Sequence, residues 1–342
     1  MPGKSKNAVA ALAAVLAIGA AVAAIPALVS DFVLLQIVIR SLWLGIVGAS
    51  LAFLIGQAGL ISLSQTAIFG TSGYMMAILV LDHGWNTWLA VVAAVAVGPV
   101  AGLVVGVVSR RSSDLYLMML TLSIGVFAFF FAQQYQPLTR GHTGFNGFRA
   151  PHFFGADLGE REPLYYFTAI AAVLVVAVLH YVMRGPAGLA YRGLRDNRRR
   201  LQALGYSPEA TTISAFTVAG FAAGIGGVIS VWYNGAISPG SIDLTRIIEL
   251  LIVVTIGGAL RIEGAFLGAL AVTLLRNYAS DLTNRVDSLV GVVFILIVLF
   301  SKHGLVGVVL GMRTQARRVL GVIRGRRAPS DGRGDGPHAS VA

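Results

Sequence analysis

Long apolar runs separated by short polar junctions organise this sequence. A helix that crosses a bilayer needs about 20 consecutive, mostly apolar residues. Runs of that character fall at 8–29, 33–55, 67–81, 86–108, 115–135, 164–183, 209–233, 245–260, 264–277 and 288–301. The pattern predicts an all-α fold, a polytopic transmembrane helical bundle of eight to ten spans with ten as the best count. The runs at 67–81, 245–260, 264–277 and 288–301 are short, as expected of tilted, re-entrant or incomplete spans. The first run follows Lys4 and Lys6 as a secretory signal would, but it is longer than a usual signal core and further runs follow. It reads as a retained first helix.

Polar positions orient the bundle. Lys4 and Lys6 put the N-terminus inside, and alternation then puts Arg110, Arg111, the run 192–200, Arg261 and the basic tail inside as well. Asp31, Asp82, the segment 136–163 and Asp243 fall outside. Arginine-rich loops gathered on one side mark a cytoplasmic face. Arg276 and Arg285, beside Asp281 and Asp287, flank an outside turn and fit this scheme least well. Both termini are expected in the cytosol, with the membrane domain over 1–311 and a basic, disordered tail over 312–342.

Composition narrows the classes. Only 12% of residues are charged, about half of what covers a soluble domain, so much of the surface faces lipid. The net charge of +11 sits in short clusters between apolar runs, which argues for membrane topology and against nucleic acid. The absence of cysteine excludes disulfides, thiolate metal sites and cysteine nucleophiles. Six scattered histidines show no metal-ligand spacing, and neither a nucleophile elbow nor a phosphate-binding loop occurs. The chain is therefore not expected to be an enzyme, to bind a metal or cofactor, or to hydrolyse ATP.

Three segments carry candidate chemistry. Gln57, Ser62, Ser64, Gln65 and Thr66 crowd a glycine-containing junction between two runs. This is either a cytoplasmic turn or a helix broken inside the membrane, whose backbone must then be satisfied by protein or a cavity. The loop 184–207 reads as an amphipathic helix over about 189–204. Ala190, Leu194, Leu201 and Leu204 fall on one face, and Arg192, Arg195 and Arg199 on the other. Gly205 suits its end, and Ser207-Pro208 suits the cap and first turn of the next span. Such a helix either docks on a cytosolic partner or lies at the interface with its arginines in the headgroups. Glu249 sits about one turn into its run, where Arg246 can pair with it; Arg40 can snorkel to the outer interface. Glycines four apart (Gly98, Gly102, Gly106; Gly220, Gly224; Gly264, Gly268) provide close helix contacts, either static or sliding.

The ordered blocks resemble the branched-chain amino acid ABC transporter permeases of the LivM type from about residue 33 to 311. Gly56-Gln57 through Ser62-Leu63-Ser64-Gln65, Phe69 and Gly73-Tyr74 is similar to that family's Gly-x-x-Ser-Leu-Gly…Phe…Gly-Ala-Tyr segment. Residues 115–122, Thr139 to Gly147, and Gly185 through Leu194-Arg195-Asp196-Asn197 to Ala203-Leu204-Gly205 follow in the family's order, then Ser238-Pro239, Glu249, Gly257-Gly258 and Gly264…Gly268. Ser64 stands for a glycine, Gly73 for an alanine, Arg140 for a glycine and Arg198 for a glutamate. The resemblance implies a multi-pass permease of a bacterial cytoplasmic membrane, moving branched-chain or other hydrophobic amino acids. Urea, amides, aromatic acids or another small solute are alternatives within the architecture, and a passive channel lies outside it. It implies a second homologous permease, two cytosolic ABC ATPases that use ATP and Mg, and an extracytoplasmic solute-binding protein. Gln57, Ser62, Ser64, Gln65, Thr66 and Glu249 then become path candidates. Leu194, Arg195, Asp196, Asn197, Arg199, Leu201, Leu204 and Gly205 become ATPase-coupling candidates.

Overall fold

The computed structural model describes Pro26 and residues 30–148, 151–153, 156–157, 159–282, 288–292 and 294–295. Apart from Pro26, the expected first span at 8–29 lies outside these residues, as do the tail at 312–342 and much of the run at 288–301. Among the described residues, ten helices make the frame: α1 (Leu34–Ala58), α2 (Gln65–Ala77, continued as a wider π-helical turn over Ile78–Asp82), α3 (Thr87–Ser109), α4 (Asp114–Gln134), α5 (Arg161–Arg184), α6 (Pro186–Asp196), α7 (Arg198–Ala203), α8 (Pro208–Asn234), α9 (Leu244–Gly257) and α10 (Ile262–Leu282). α1 also begins and ends in π-helical turns, over Leu34–Ile39 and Leu54–Ala58.

Helices α1, α3, α4, α5 and α8 are each long and apolar enough to cross a membrane, and Pro239–Gly257 with Ile262–Ala279 forms a pair bent by 114°. Sequence boundaries for these five fall within a few residues of those observed. Burial sorts them. In their most apolar stretches, 83% of α1 and 67% of α8 is buried, against 22–28% for α3, α4 and α5. The first two are therefore the centre of the bundle, and the other three turn Val92, Met119, Phe127 and Ile170 outward. Such exposed apolar faces are stable against lipid or another apolar subunit surface, not against water.

Lipid offers no hydrophobic drive between helices, so they associate by close backbone approach. At the α3–α8 crossing, a Cβ on Gly98 would lie 2.5 Å from the Gly220 carbonyl, and one on Gly102 would run into the Phe216 carbonyl. A Cβ on Gly106 would lie 2.9 Å from the Ile213 Cα. The same device joins α9 to α10, where Gly257 faces the Gly264 carbonyl and Gly268 the Val253 carbonyl. The glycine rows of the sequence are contact rows in the fold.

Polar contacts separate the two ends of the bundle. At one end Arg110 and Arg111 pair with Glu209 at 3.5 and 3.4 Å, and His180 meets Glu263 at 3.0 Å. At the other, Arg140 pairs with Asp82 at 2.5 Å and lies 4.6 Å over the Phe145 ring. There β1 (Phe145–Asn146) pairs antiparallel with Ala236–Ile237, tying the long loop to the end of α8. One expectation changes. Asp243 is not in a loop at the outer end. Ile237 packs over Gly73 and Ile242 over Gly70, so this segment descends alongside α2. Asp243 thus lies about 18 Å along α2 from Asp82, at 1.5 Å per residue.

Candidate functional site

The junction at 57–66 is a break inside the bundle. α1 stops because Gly59 takes a left-handed conformation (φ +69°), which glycine adopts without steric cost. The Leu60 N–H then reaches back to the Leu54 carbonyl at 3.0 Å. Ser62 and Ser64 share a hydrogen bond at 3.0 Å, and the Leu63 N–H donates to Thr121 Oγ1 on α4, also at 3.0 Å. Irregular backbone is thus satisfied by protein, as membrane depth demands. Thr121 lies two turns into α4 and Ser50, which contacts Gln65 at 3.1 Å, two turns before the end of α1. α2 therefore starts in the interior of the bundle rather than at its surface. Among the alternatives left open by sequence, the broken helix is the one realised.

α9 also starts at depth. Asp243 caps it by accepting the Arg246 N–H at 2.9 Å. Two shortened helices thus begin beside each other, α2 running toward the Asp82 end and α9 toward the opposite one. Discontinuous helices of this kind frame solute sites in transporters. Between them and the outer halves of α1 and α8 lies a cavity of about 360 Å³. Its wall carries Leu35, Gln36, Arg40, Trp43, Leu44 and Val47 from α1, and Ser230, Tyr233 and Asn234 from α8. Its base carries Thr66 and Phe69 from α2, Ser241, and Arg246, Glu249 and Leu250 from α9. Thr66 and Leu250 also border a void too small for a water molecule, lined by Ser62 and Gln65, so they divide the cavity from the break beneath it.

Of the path candidates, Thr66 and Glu249 line the cavity, and Ser62, Gln65 and Thr66 line the void below. Ser64 is buried and bonded to Ser62; Gln57 is half-buried near the end of α1 and lines neither space. The electrostatics were only half legible. Glu249 is buried (3% exposed) and meets Arg246 at 2.6 Å, as the spacing predicts. It also meets Arg276 at 3.3 Å and Arg40 at 3.8 Å. Arg40 does not snorkel outward, and Arg276, on α10, faces Glu249; residues 283–287 of the turn it was expected to flank lie outside the described residues. Both face inward because one buried carboxylate offers them more than the interface does. No periodicity links residues 40, 249 and 276, so only the fold could bring them together.

The loop between α5 and α8 holds two helices where one was expected over 189–204. Asn197, at φ −164° and ψ 107°, breaks the helix and caps α7 by accepting the Arg200 N–H at 3.0 Å. Ala190, Tyr191, Leu194 and Leu201 are buried as the amphipathic face, whereas Leu204 is exposed. Burial holds the Tyr191 phenol above its ordinary pKa, outweighing the lowering by its bond to Ser214. Gly205 ends the segment, and Ser207 caps α8 with Pro208 at its first position. Two arginines are turned inward. Arg195 donates to the Gly56 carbonyl at 2.5 Å, and its side chain packs on Gly59. Arg198 donates to the Arg110 and Ser112 carbonyls, at 2.5 and 3.4 Å. Arg192, Asp196, Arg199 and Arg200 remain on the exposed face.

A family model described as the permease component of branched-chain amino acid transport systems matches residues 33–301. The chain belongs to this permease family. The permease is 23% identical over 306 residues to the high-affinity branched-chain amino acid transport system permease protein LivM of Escherichia coli K12, and 24% identical to that of Salmonella typhimurium LT2. Each alignment covers 83% of this chain and 71% of its relative. The match contains the break, the cavity-lining residues and the clamped loop. The permease is accordingly a membrane protein with several spans.

Proposed function

We propose that this permease is the membrane-spanning subunit of an ATP-binding-cassette importer for branched-chain or other hydrophobic amino acids, working by alternating access. The observation that carries this reading is the Arg195 contact. The loop between α5 and α8 is joined directly to the break that lies below the solute cavity. A force on that loop reaches the end of α1 and the start of the break through Arg195, and α1 itself through Tyr191, whose ring meets Phe53 edge-on at 5.5 Å. Two cytosolic ATPases would supply the force with ATP and Mg, docking on the exposed Arg192, Arg199, Arg200 and Leu204. Closure of the ATPases would move the inner loop and exchange one opening of the bundle for the other. A second permease would complete the path, and a solute-binding protein would dock at the Asp82–Arg140 end.

Co-purification from native membranes with mass spectrometry, followed by leucine uptake in proteoliposomes, tests the reading. Two phosphate-loop ATPases and a second permease should accompany the chain, and uptake should require ATP. Charge reversal at Arg192 and Arg199 together should remove ATPase association and ATP-linked uptake. Recovery of the chain alone, with solute flux that ignores ATP, would replace the importer with a passive channel.

A further inference from the structure

We infer that the cavity above Glu249 is a carboxylate site: its ligands are small organic acids, amino acids included, held by Arg40 and Arg246, rather than neutral amides or ureas. This rests on reading the chain as a solute permease and names the chemistry of what it takes.

Charge balance is the first argument. Three guanidiniums lie within 3.8 Å of one carboxylate. Asp243, the nearest other acidic residue in sequence, already caps α9 with one oxygen. Glu249 has two oxygens, one taken by Arg246 and the other shared between Arg276 and Arg40. At 3.8 Å Arg40 is beyond hydrogen-bond reach of Glu249, and its side chain has no hydrogen bond to another described residue. A guanidinium carries five N–H donors, so those of Arg40 remain for a ligand at the cavity wall. Among the described residues, Arg40 and Arg246 share the single charge of Glu249, and the positive charge left over at membrane depth is costly until an anion answers it.

The floor is the second argument. α2 opens onto the cavity with Thr66 in its first turn, and Ser64 supplies no side-chain cap. The Thr66 hydroxyl is buried (5% exposed) and without a partner among the described residues. Uncapped N–H groups and a helix dipole favour negative charge there. The walls add an apolar surface, Trp43 stacked on Phe69 at 5.9 Å beside Val47 and Leu250. Glu249 is ion-paired on both oxygens, Oε1 without a hydrogen bond among the described residues, so an ammonium group on the ligand is tolerated rather than required.

The test uses the full-length chain in phosphatidylcholine nanodiscs and equilibrium dialysis with four radiolabelled solutes: 4-methylpentanoate, leucine, leucinamide and urea. The acid and leucine should bind saturably, and leucinamide and urea at least tenfold more weakly. Arg40→Gln and Arg246→Gln should each weaken acid binding about tenfold or more, with Arg40→Lys recovering part of it. Leucinamide binding as tightly as the acid, or no saturable binding of either acid, would overturn the inference without any variant having to fold. So would a phosphatidylglycerol headgroup retained in native mass spectrometry and lost in Arg40→Gln, which assigns the site to lipid. ATP-linked uptake of neutral amides would sink the carboxylate assignment and leave the importer standing. Acid binding without any ATP-linked uptake would do the reverse.

Discussion

Glu249 shows how much one side chain can hold. Removing it leaves three guanidiniums facing one another, and removal of one partner from a buried ion cluster costs about 3 kcal/mol. Glu249→Ala should lower the thermal midpoint of the detergent-solubilised protein far more than Arg246→Ala, whose guanidinium is 42% exposed. Arg140 illustrates the opposite case. It sits at φ +57°, a left-handed conformation that costs a non-glycine residue roughly 1 kcal/mol. The part-exposed pair with Asp82 offsets a similar amount. Arg140→Gly is therefore expected to be nearly neutral in thermal unfolding, whereas Arg140→Val should lose about 1 to 2 kcal/mol by combining a branched Cβ with the same backbone. At this scale the sequence was legible wherever partners are local. Arg246–Glu249 and the Ser207 cap follow from spacing, while Arg40, Arg276 and Arg195 meet partners far along the chain.

Elements behave differently from residues because their contacts repeat. The α3–α8 crossing depends on missing side chains, so any Cβ at Gly102 meets the Phe216 backbone, which cannot give way as a flexible side chain would. Gly102→Ala is expected to destabilise by about 1 to 3 kcal/mol, with reduced monodispersity on size exclusion as a second sign. The loop helices α6 and α7 make a sharper prediction. Arg195 points inward to Gly56, so Arg195→Ala should leave ATPase co-purification intact while lowering leucine uptake. Arg199→Glu should weaken co-purification itself. A single helix over 189–204 was the natural reading of an amphipathic pattern, yet Asn197 has both the turn propensity and the capping amide to interrupt it. The five long helices were legible to within a few residues because apolar length is decided locally. The break before α2 left even odds from spacing, since what distinguishes it from a turn is the distant Thr121 hydroxyl.

For the whole molecule, the two ends differ in charge and in covering. The chain has no cysteine, so single introduced cysteines report sidedness without background. Gln202→Cys, on the exposed part of α7, should react with a membrane-impermeant maleimide only in inverted vesicles. His83→Cys, beside Asp82, should react only in intact spheroplasts. Labelling of both from one side would refute the orientation drawn from the arginine clusters.

The α3–α8 contact also constrains how such a machine can move. Backbones that interlock through Gly98, Gly102, Gly220 and Gly224 mesh like teeth, and teeth do not slip by fractions of their spacing. Relative travel along that seam comes only in whole notches of about 5.4 Å, one helical turn, with the ridges lifting clear in between. The cheaper course keeps α3 and α8 as one chassis and puts the hinge elsewhere. The bent α9–α10 pair, tied to α1 by the Arg40–Glu249–Arg276 cluster and by Gly56 against the Ala259 and Leu260 carbonyls, lies outside that chassis and is where a gate can swing.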